Sequence, residues 1–297
     1  MKKHISLFLA VSSAVTLFAA PTMNEGWKLL NSGKFADAEK VFRAIAASDD
    51  PAQNYDGTVG IMYSLRRQQK NAVLPKEVDE WIAKHPQATV NQKAHLYLFK
   101  GNALRDLGKI EESLAAYKQG IDTKSTNHNS SDCAKEYMMT AANNNKVDLA
   151  VAMYEQTCND PIAKKNVGYL LNAGHLCWKA KKGEEGLKVL DAAEKLIKNE
   201  WLKENLFRTR GYIYRECLND QEKAVKAFEQ ALNVQGINNT QKAVLWNNIG
   251  MAYERDEEYE KAVEAYKKVG TFNAKGWFIK SAENSAARLQ KKIDAGE

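Results

Sequence analysis

WNNIGMAYERDEEYEKAVEAY, residues 246–266, is the stretch that decides the fold. Trp246, Ile249, Gly250 and Tyr253 recur at three- and four-residue intervals, which places them on one helical face. After a polar break at residues 255–258, Ala262 and Tyr266 repeat the four-residue spacing. Two amphipathic helices joined by a short turn form a hairpin, and neither helix can bury its apolar face alone.

The same small-then-large pair recurs along the chain as Ala38/Phe42, Ser113/Tyr117, Ala150/Tyr154, Gly186/Leu190, Ala224/Phe228 and Ala262/Tyr266. The long gap between Ala38 and Ser113 has room for one more unit, which Val78/Ile82 supplies. Each preceding helix carries a small residue where two helices must approach closely: Gly26, Gly60, Gly101, Gly174, Gly211 and Gly250. Gly33 and Gly108 fall in turns, and Pro51, Pro86 and Pro161 follow second helices. Departures are expected at four places. Residues 68–74 are an insertion, Met138 replaces a glycine, the turn at Lys182–Gly183 is short, and the sixth unit has one extra turn residue. The polar run Asp122 to Asp132 reads as a loop, with Ser131 or Asp132 as the cap of the next helix.

The spacing W-x2-[L/I]-G-x2-Y followed by A-x3-[F/Y], with weaker copies about every 37 residues, resembles the tetratricopeptide repeat family. The seventh unit alone matches strongly. The resemblance implies an all-α, right-handed α-solenoid of about seven helical hairpins plus a C-terminal capping helix. The units fall near residues 21–51, 52–90, 91–125, 131–161, 162–199, 200–236 and 240–273, with the cap at 276–294. Residues 21–297 then form a single repeat domain after a leader at 1–20. In the resembled family, first helices line a concave groove. Carried over by register, the groove residues are Asn102, Arg105, Lys135, Met139, His175, Trp178, Lys179, Arg208, Tyr212, Arg215, Asn247, Met251 and Arg255. Trp178 and Tyr212 among arginines have the composition of a binding hot spot. The bland alternative is a set of ordinary solvated residues around a partly packed Trp178. Arg208 fits a position that grips C-terminal carboxylates in some family members, but Tyr212 replaces the asparagine of that arrangement.

Lys2 and Lys3 precede a mostly apolar stretch, Ile5 to Phe18, and then Ala19 and Ala20, which reads as a secretory signal peptide. The expectation is an exported protein, periplasmic or secreted, of a bacterial envelope, without a membrane span after cleavage; uncleaved anchoring is the alternative. The formal charge is +6, or +4 without the two leader lysines, too weak to call for nucleic acid. Four cysteines are present, the first at Cys133. A Cys133–Cys158 disulfide is expected where the ends of one hairpin meet, with two free thiols as the alternative. Cys177 and Cys217 read as core packing, with a second bridge as the alternative.

No catalytic, cofactor or metal site is expected. His4, His85, His95, His128 and His175 show no paired metal-ligand spacing, and no Cys-x-x-Cys occurs. Gly33-Lys34 and Gly108-Lys109 lack the rest of a phosphate loop, and the Gly-x-Ser-x-Gly elbow is absent. Glu257-Glu258 near Lys261 reads as solvated salt-bridge decoration. The function implied is a non-enzymatic adaptor or scaffold. It would hold a peptide or helix of another protein, acidic or aromatic in character, without nucleic acid. Self-assembly through the end faces is the alternative, and an enzyme on a helical scaffold is a remote third.

Overall fold

A computed structural model of the protein describes residues 20–272, 274 and 276–296, so the expected leader lies outside the described residues apart from Ala20. Among the described residues there are fifteen α-helices and no strand, as the spacing predicts. They divide into two compact units, one up to Lys70 and one from Asn71 onward.

The first unit holds α1 (Met23–Asn31), α2 (Phe35–Ala46) and α3 (Pro51–Arg67). Phe42 of α2 is fully buried beneath Gly26 of α1 and Gly60 of α3. Trp27 meets Phe42 edge to face at 5.1 Å and Tyr63 at 5.5 Å, which closes this small core. Gln68 Nε2 donates to Glu39 Oε2 at 2.8 Å and ties the end of α3 to α2.

The second unit holds α4 (Leu74–Lys84), α5 (Val90–Asp106), α6 (Ile110–Asp122), α7 (Asn129–Asn143), α8 (Val147–Thr157) and α9 (Val167–Lys179). It continues with α10 (Gly183–Glu194), α11 (Leu202–Glu216), α12 (Gln221–Leu232), α13 (Asn239–Arg255), α14 (Tyr259–Val269) and α15 (Trp277–Ala295). Five hairpins follow one another, α5/α6 to α13/α14, with α4 against α5 and α15 covering α14 and α13. Ala282, Ala286 and Leu289 are the buried residues through which α15 closes the last hairpin.

One contact recurs in these hairpins. A Cβ added at Gly101 would come within 2.3 Å of the Tyr117 ring, at Gly211 within 2.3 Å of Phe228, and at Gly250 within 2.7 Å of Tyr266. At Gly174 the neighbour is Leu190, at 2.5 Å. The large residue of each second helix therefore lies directly on the backbone of its first helix. Met138 takes this place in α7 and is itself buried.

The turns inside the hairpins share one geometry except that of α11/α12, which has the expected extra residue and bonds Asp220 N–H to the Tyr214 carbonyl six residues back. In the others the residue at the turn has positive φ, and the next N–H bonds a carbonyl five residues back, as in Lys34 to Leu29, Lys109 to Leu104 and Glu258 to Tyr253. Glycine serves at Gly33 and Gly108, whereas Gln69, Asn145, Lys181, Asn219 and Glu257 adopt the same left-handed conformation without it.

Several local expectations are corrected. The turn before Gly183 is not shortened: Lys182 N–H bonds the Cys177 carbonyl in the same arrangement, with Lys181 at positive φ. The polar run after Asp122 is a loop over residues 123–128, but α7 already starts at Asn129, before the expected cap at Ser131 or Asp132, and its N-cap His128 makes no side-chain cap bond. Ser125 and Ser130 exchange hydrogen bonds between backbone N–H and hydroxyl, both 2.9 Å, which lets a six-residue link, residues 123–128, suffice. Residues 52–90, expected as one hairpin, are split between the two units, with α3 packed on α2 and α4 on α5. The chain after α3 makes the same turn, with Gln69 at positive φ and Lys70 N–H on the Leu65 carbonyl, and residues 71–73 follow before α4. The expected Cys133–Cys158 bridge is not formed, and all four cysteines are free. Cys133 is buried toward the preceding hairpin, its thiol 3.5 Å from the Ala94 carbonyl, while Cys158 faces its own helix end.

Gly211→Ala is expected to lower stability by about 1–3 kcal/mol through overpacking against Phe228. Gly270→Ala, with nothing near its Cβ position, should be close to neutral. Urea unfolding of the two variants measures the difference.

Candidate protein-binding groove

The candidate residues all lie on first helices of the second unit. Asn102 and Arg105 are on α5, Lys135 and Met139 on α7, and His175, Trp178 and Lys179 on α9; Arg208, Tyr212 and Arg215 are on α11, and Asn247, Met251 and Arg255 on α13. Helices α5, α7, α9 and α11 pack in succession, and side chains tie α13 to α11. Register alone thus brings these residues to one wall.

Much of that wall is internal bracing. Arg105 donates to Glu136 on α7 at 2.6 Å and to the Tyr117 hydroxyl at 3.3 Å, and that hydroxyl donates to Asn102 at 2.8 Å. Lys135 lies 3.3 Å from Glu136 and 3.6 Å from Asp132. Trp178 stacks on Tyr212 with centroids 4.7 Å apart, and its indole N–H donates to Glu216 at 2.9 Å. The Arg215 guanidinium is buried, donates to Glu216 at 2.6 Å and Asn248 at 2.7 Å, and lies 5.6 Å from the Tyr212 ring centre. Arg255 donates to the Arg215 carbonyl at 2.7 Å, and Glu254 joins Arg288 of α15 to the Tyr266 hydroxyl. Trp178 and Tyr212 therefore hold α9 to α11 and offer little free ring surface.

The charge on the wall is largely compensated. Burial alone would raise the Glu216 pKa. Hydrogen bonds from Arg215 and Trp178, with the charges of Arg215 and Lys181, hold its carboxyl below the usual range. Among the described residues, Lys179 and Arg255 are the candidate cations that pair with no carboxylate. His175 is pushed down to about 4, first by burial and then by Lys179 and Arg208, so its imidazole is neutral at pH 7.

Two hollows remain open. The first, about 190 Å³, lies between α7, α9 and α11 and is lined by Met139, Asn143, Asn172, His175, Asn205 and Arg208 among others. The second, about 410 Å³, lies between α13, α14 and α15 and includes Asn247, Met251, Arg255 and Trp277. Met251 is 42% exposed and Trp277 82% exposed, leaving apolar surface uncovered there.

Sequence reasoning missed Asn143, Asn172, Asn205, Glu136, Glu204, Asn248 and Trp277. A usable signal existed for the braces, because their partners sit about one repeat apart: Arg105 with Glu136, Trp178 with Glu216, Arg215 with Asn248. No group of three or more potential ligands is placed to hold a metal, and no helix is long and apolar enough to cross a membrane, among the described residues.

Residues 94–127 and 243–271 match the tetratricopeptide repeat family model. These segments are α5–α6 with the loop that follows, and α13–α14. The chain carries tetratricopeptide repeats at these two positions. The third hairpin of this repeat protein thus joins the seventh as a direct match. Over 89% of its length the fold is similar to a tetratricopeptide repeat protein from Parabacteroides merdae, with TM-score 0.56, 15% identity and 97% of that chain covered. The C-terminal part of a tetratricopeptide repeat protein from Cytophaga hutchinsonii gives a TM-score of 0.58 at 14% identity, with 89% of this chain and 99% of that one covered. A chain of the APC/C hetero-tetramer Cut9–Hcn1 gives 0.60 at 13% identity; 89% of this chain matches 48% of that one. No curated protein matches the sequence. Tetratricopeptide repeat proteins bind other proteins and are generally non-enzymatic scaffolds.

Between pH 6.5 and about 4 only the unfolded chain takes up a proton at His175. Stability should therefore fall as pH drops through that window, and His175→Gln should remove this part of the slope; urea unfolding against pH tests it. Arg215→Ala leaves Glu216 and Asn248 without their buried partner and should cost about 3–5 kcal/mol. Arg255→Ala loses one bond to a carbonyl and should cost about 1–2 kcal/mol by the same measurement.

Proposed function

We propose that the protein is a non-enzymatic adaptor of the bacterial envelope that holds a peptide or helix of a partner along the first-helix wall. The observation that carries this reading is the wall itself. Successive first helices of the second unit are locked together by Arg105, Trp178, Arg215 and Arg255, while Met139, Lys179, Asn247 and Met251 stay accessible between the braces. A wall ordered in advance loses little conformational freedom when a ligand docks, so more of the contact energy appears as affinity. Export rests on the leader pattern of Lys2, Lys3, the apolar stretch and Ala19-Ala20. Placement in the envelope would bring the groove to exported or envelope proteins.

The reading is tested by placing a photo-crosslinking amino acid at Met139 or Met251 and, as control, at Lys188 on second helix α10, followed by osmotic-shock fractionation. A discrete adduct from the groove positions alone, recovered in the shock fluid, is expected. Adducts from Lys188 alone would overturn the groove, and recovery only in the cytoplasm would overturn the location.

A further inference from the structure

We propose that the edge of the second unit formed by the links between hairpins docks on an anionic lipid bilayer, with Trp201 seated among the headgroups and unpaired lysines around it. This surface is separate from the first-helix wall. It stands whether or not the wall holds a peptide.

The hairpin array has two edges of different chemistry. Turns inside the hairpins line one edge, and the links from each second helix to the next first helix line the other. In the second unit the turns carry Lys109, Lys146, Lys181 and Lys182. Each pairs with a carboxylate, of Glu112, Glu111, Glu216 and Glu155 in that order. The links between α6 and α11 carry Lys124, Lys164, Lys165, Lys195 and Lys198, all exposed. Among the described residues none of these five pairs with a carboxylate, and Lys164 reaches only the Asn159 amide oxygen, at 3.3 Å. The two carboxylates in the same links are already engaged. Asp160 accepts from the Ile162 and Ala163 N–H groups, and Glu200 pairs with Lys203. A modest excess of base over the whole chain is thus left unneutralised along one edge.

Apolar surface lies between these charges. Trp201, the N-cap residue of α11, is 68% exposed, and among the described residues its ring and its indole N–H have no partner. Leu196, 37% exposed, stands in the same link. A hollow of about 530 Å³ opens between the first two of the three links, lined by Ile121, Ala134, Pro161 and Ile162 beside Lys124. An exposed tryptophan gains at a bilayer interface, where its ring meets acyl chains and its N–H meets headgroup oxygens. Each lysine held near anionic lipid strengthens attachment about fivefold. Successive first helices pack about 10 Å apart, so the three links spread their charges over about 20 Å. Single-point cations on flexible stems around a protruding ring match a plane of headgroups, whereas the fixed carboxylates of one peptide call for the paired donors of arginine.

The test uses the full chain labelled with 5-fluorotryptophan, mixed with bicelles of phosphatidylcholine alone or of phosphatidylcholine with phosphatidylglycerol. Both carry a lipid with a nitroxide on its headgroup. The leader is present in every arm, so differences between arms belong to the edge. In the anionic bicelles the fluorine signal of Trp201, assigned by its loss in Trp201→Phe, should broaden while that of Trp178 does not. Added salt should reverse the broadening, because exposed charges are screened. Replacing Lys164, Lys165 and Lys198 together by glutamine should weaken binding about a hundredfold. Replacing Lys109, Lys181 and Lys182 on the turn edge, an equal loss of charge, should leave it unchanged. Equal broadening in neutral bicelles, an equal loss in the turn-edge variant, or an unaffected Trp201 signal overturns the proposal. Saturable binding of polyglutamate at Trp201 without response to either bicelle assigns the edge to an acidic protein and overturns the bilayer.

Discussion

The contact between a first-helix glycine and the large side chain of its second helix is the constraint on which this array depends. Phe42, Tyr117, Leu190 and Phe228 are fully buried against Gly26, Gly101, Gly174 and Gly211, and Tyr266 nearly so against Gly250. Burying each such side chain contributes roughly 1.5–3 kcal/mol, and without a Cβ in the way the ring can lie on the helix backbone. That approach sets where one first helix stands with respect to its second, and repetition then lines up the first helices α5 to α13. The wall exists because the hairpins are closed in one way.

Along that wall, bracing between helices takes up residues that register alone leaves open. Arg215 is buried between Glu216, Asn248 and the Tyr212 ring, and Trp178 spans α9 to α11 through its stack and its indole N–H. These side chains rigidify a surface that would otherwise be joined only by apolar packing. The wall residues not taken up in bracing are therefore fewer than register implies, and Met139, Asn247 and Met251 among them border the two hollows. The hollow beside α7 coincides with the one hairpin whose glycine position holds Met138, a bulkier side chain that lines it. The hollow beside α15 combines Arg255, whose guanidinium bonds the Arg215 carbonyl and no carboxylate among the described residues, with exposed Met251 and Trp277.

Two local differences from the sequence reading lie in how loop and turn residues act on backbone groups. The run after Asp122 is a loop over residues 123–128, shorter than its polar composition implied, because Ser125 and Ser130 satisfy one another's backbone N–H groups and Asn129 reaches the Asn91 carbonyl at 2.9 Å. Lys181 and Glu257 hold the left-handed turn conformation that the two glycine turns make easy, so turns of identical bonding differ in composition. Composition alone cannot separate such a turn from a shortened one.

Periodicity by itself determined the helix class, the hairpin register, the glycine positions and the helix face on which the wall residues fall, because these follow from a 3.6-residue repeat and from the volume of one side chain. Tertiary structure decided what each wall residue does. Arg208 on Glu204 follows from i,i+4 spacing within α11, but Arg105 on Glu136 and Trp178 on Glu216 join successive first helices and are settled by the distances between those helices. The division of residues 52–90 between two units was likewise settled by which neighbours buried the faces of α3 and α4. A linear pattern specifies which face a side chain shares; the neutralisation of a charge depends on three-dimensional separation, which no spacing rule encodes.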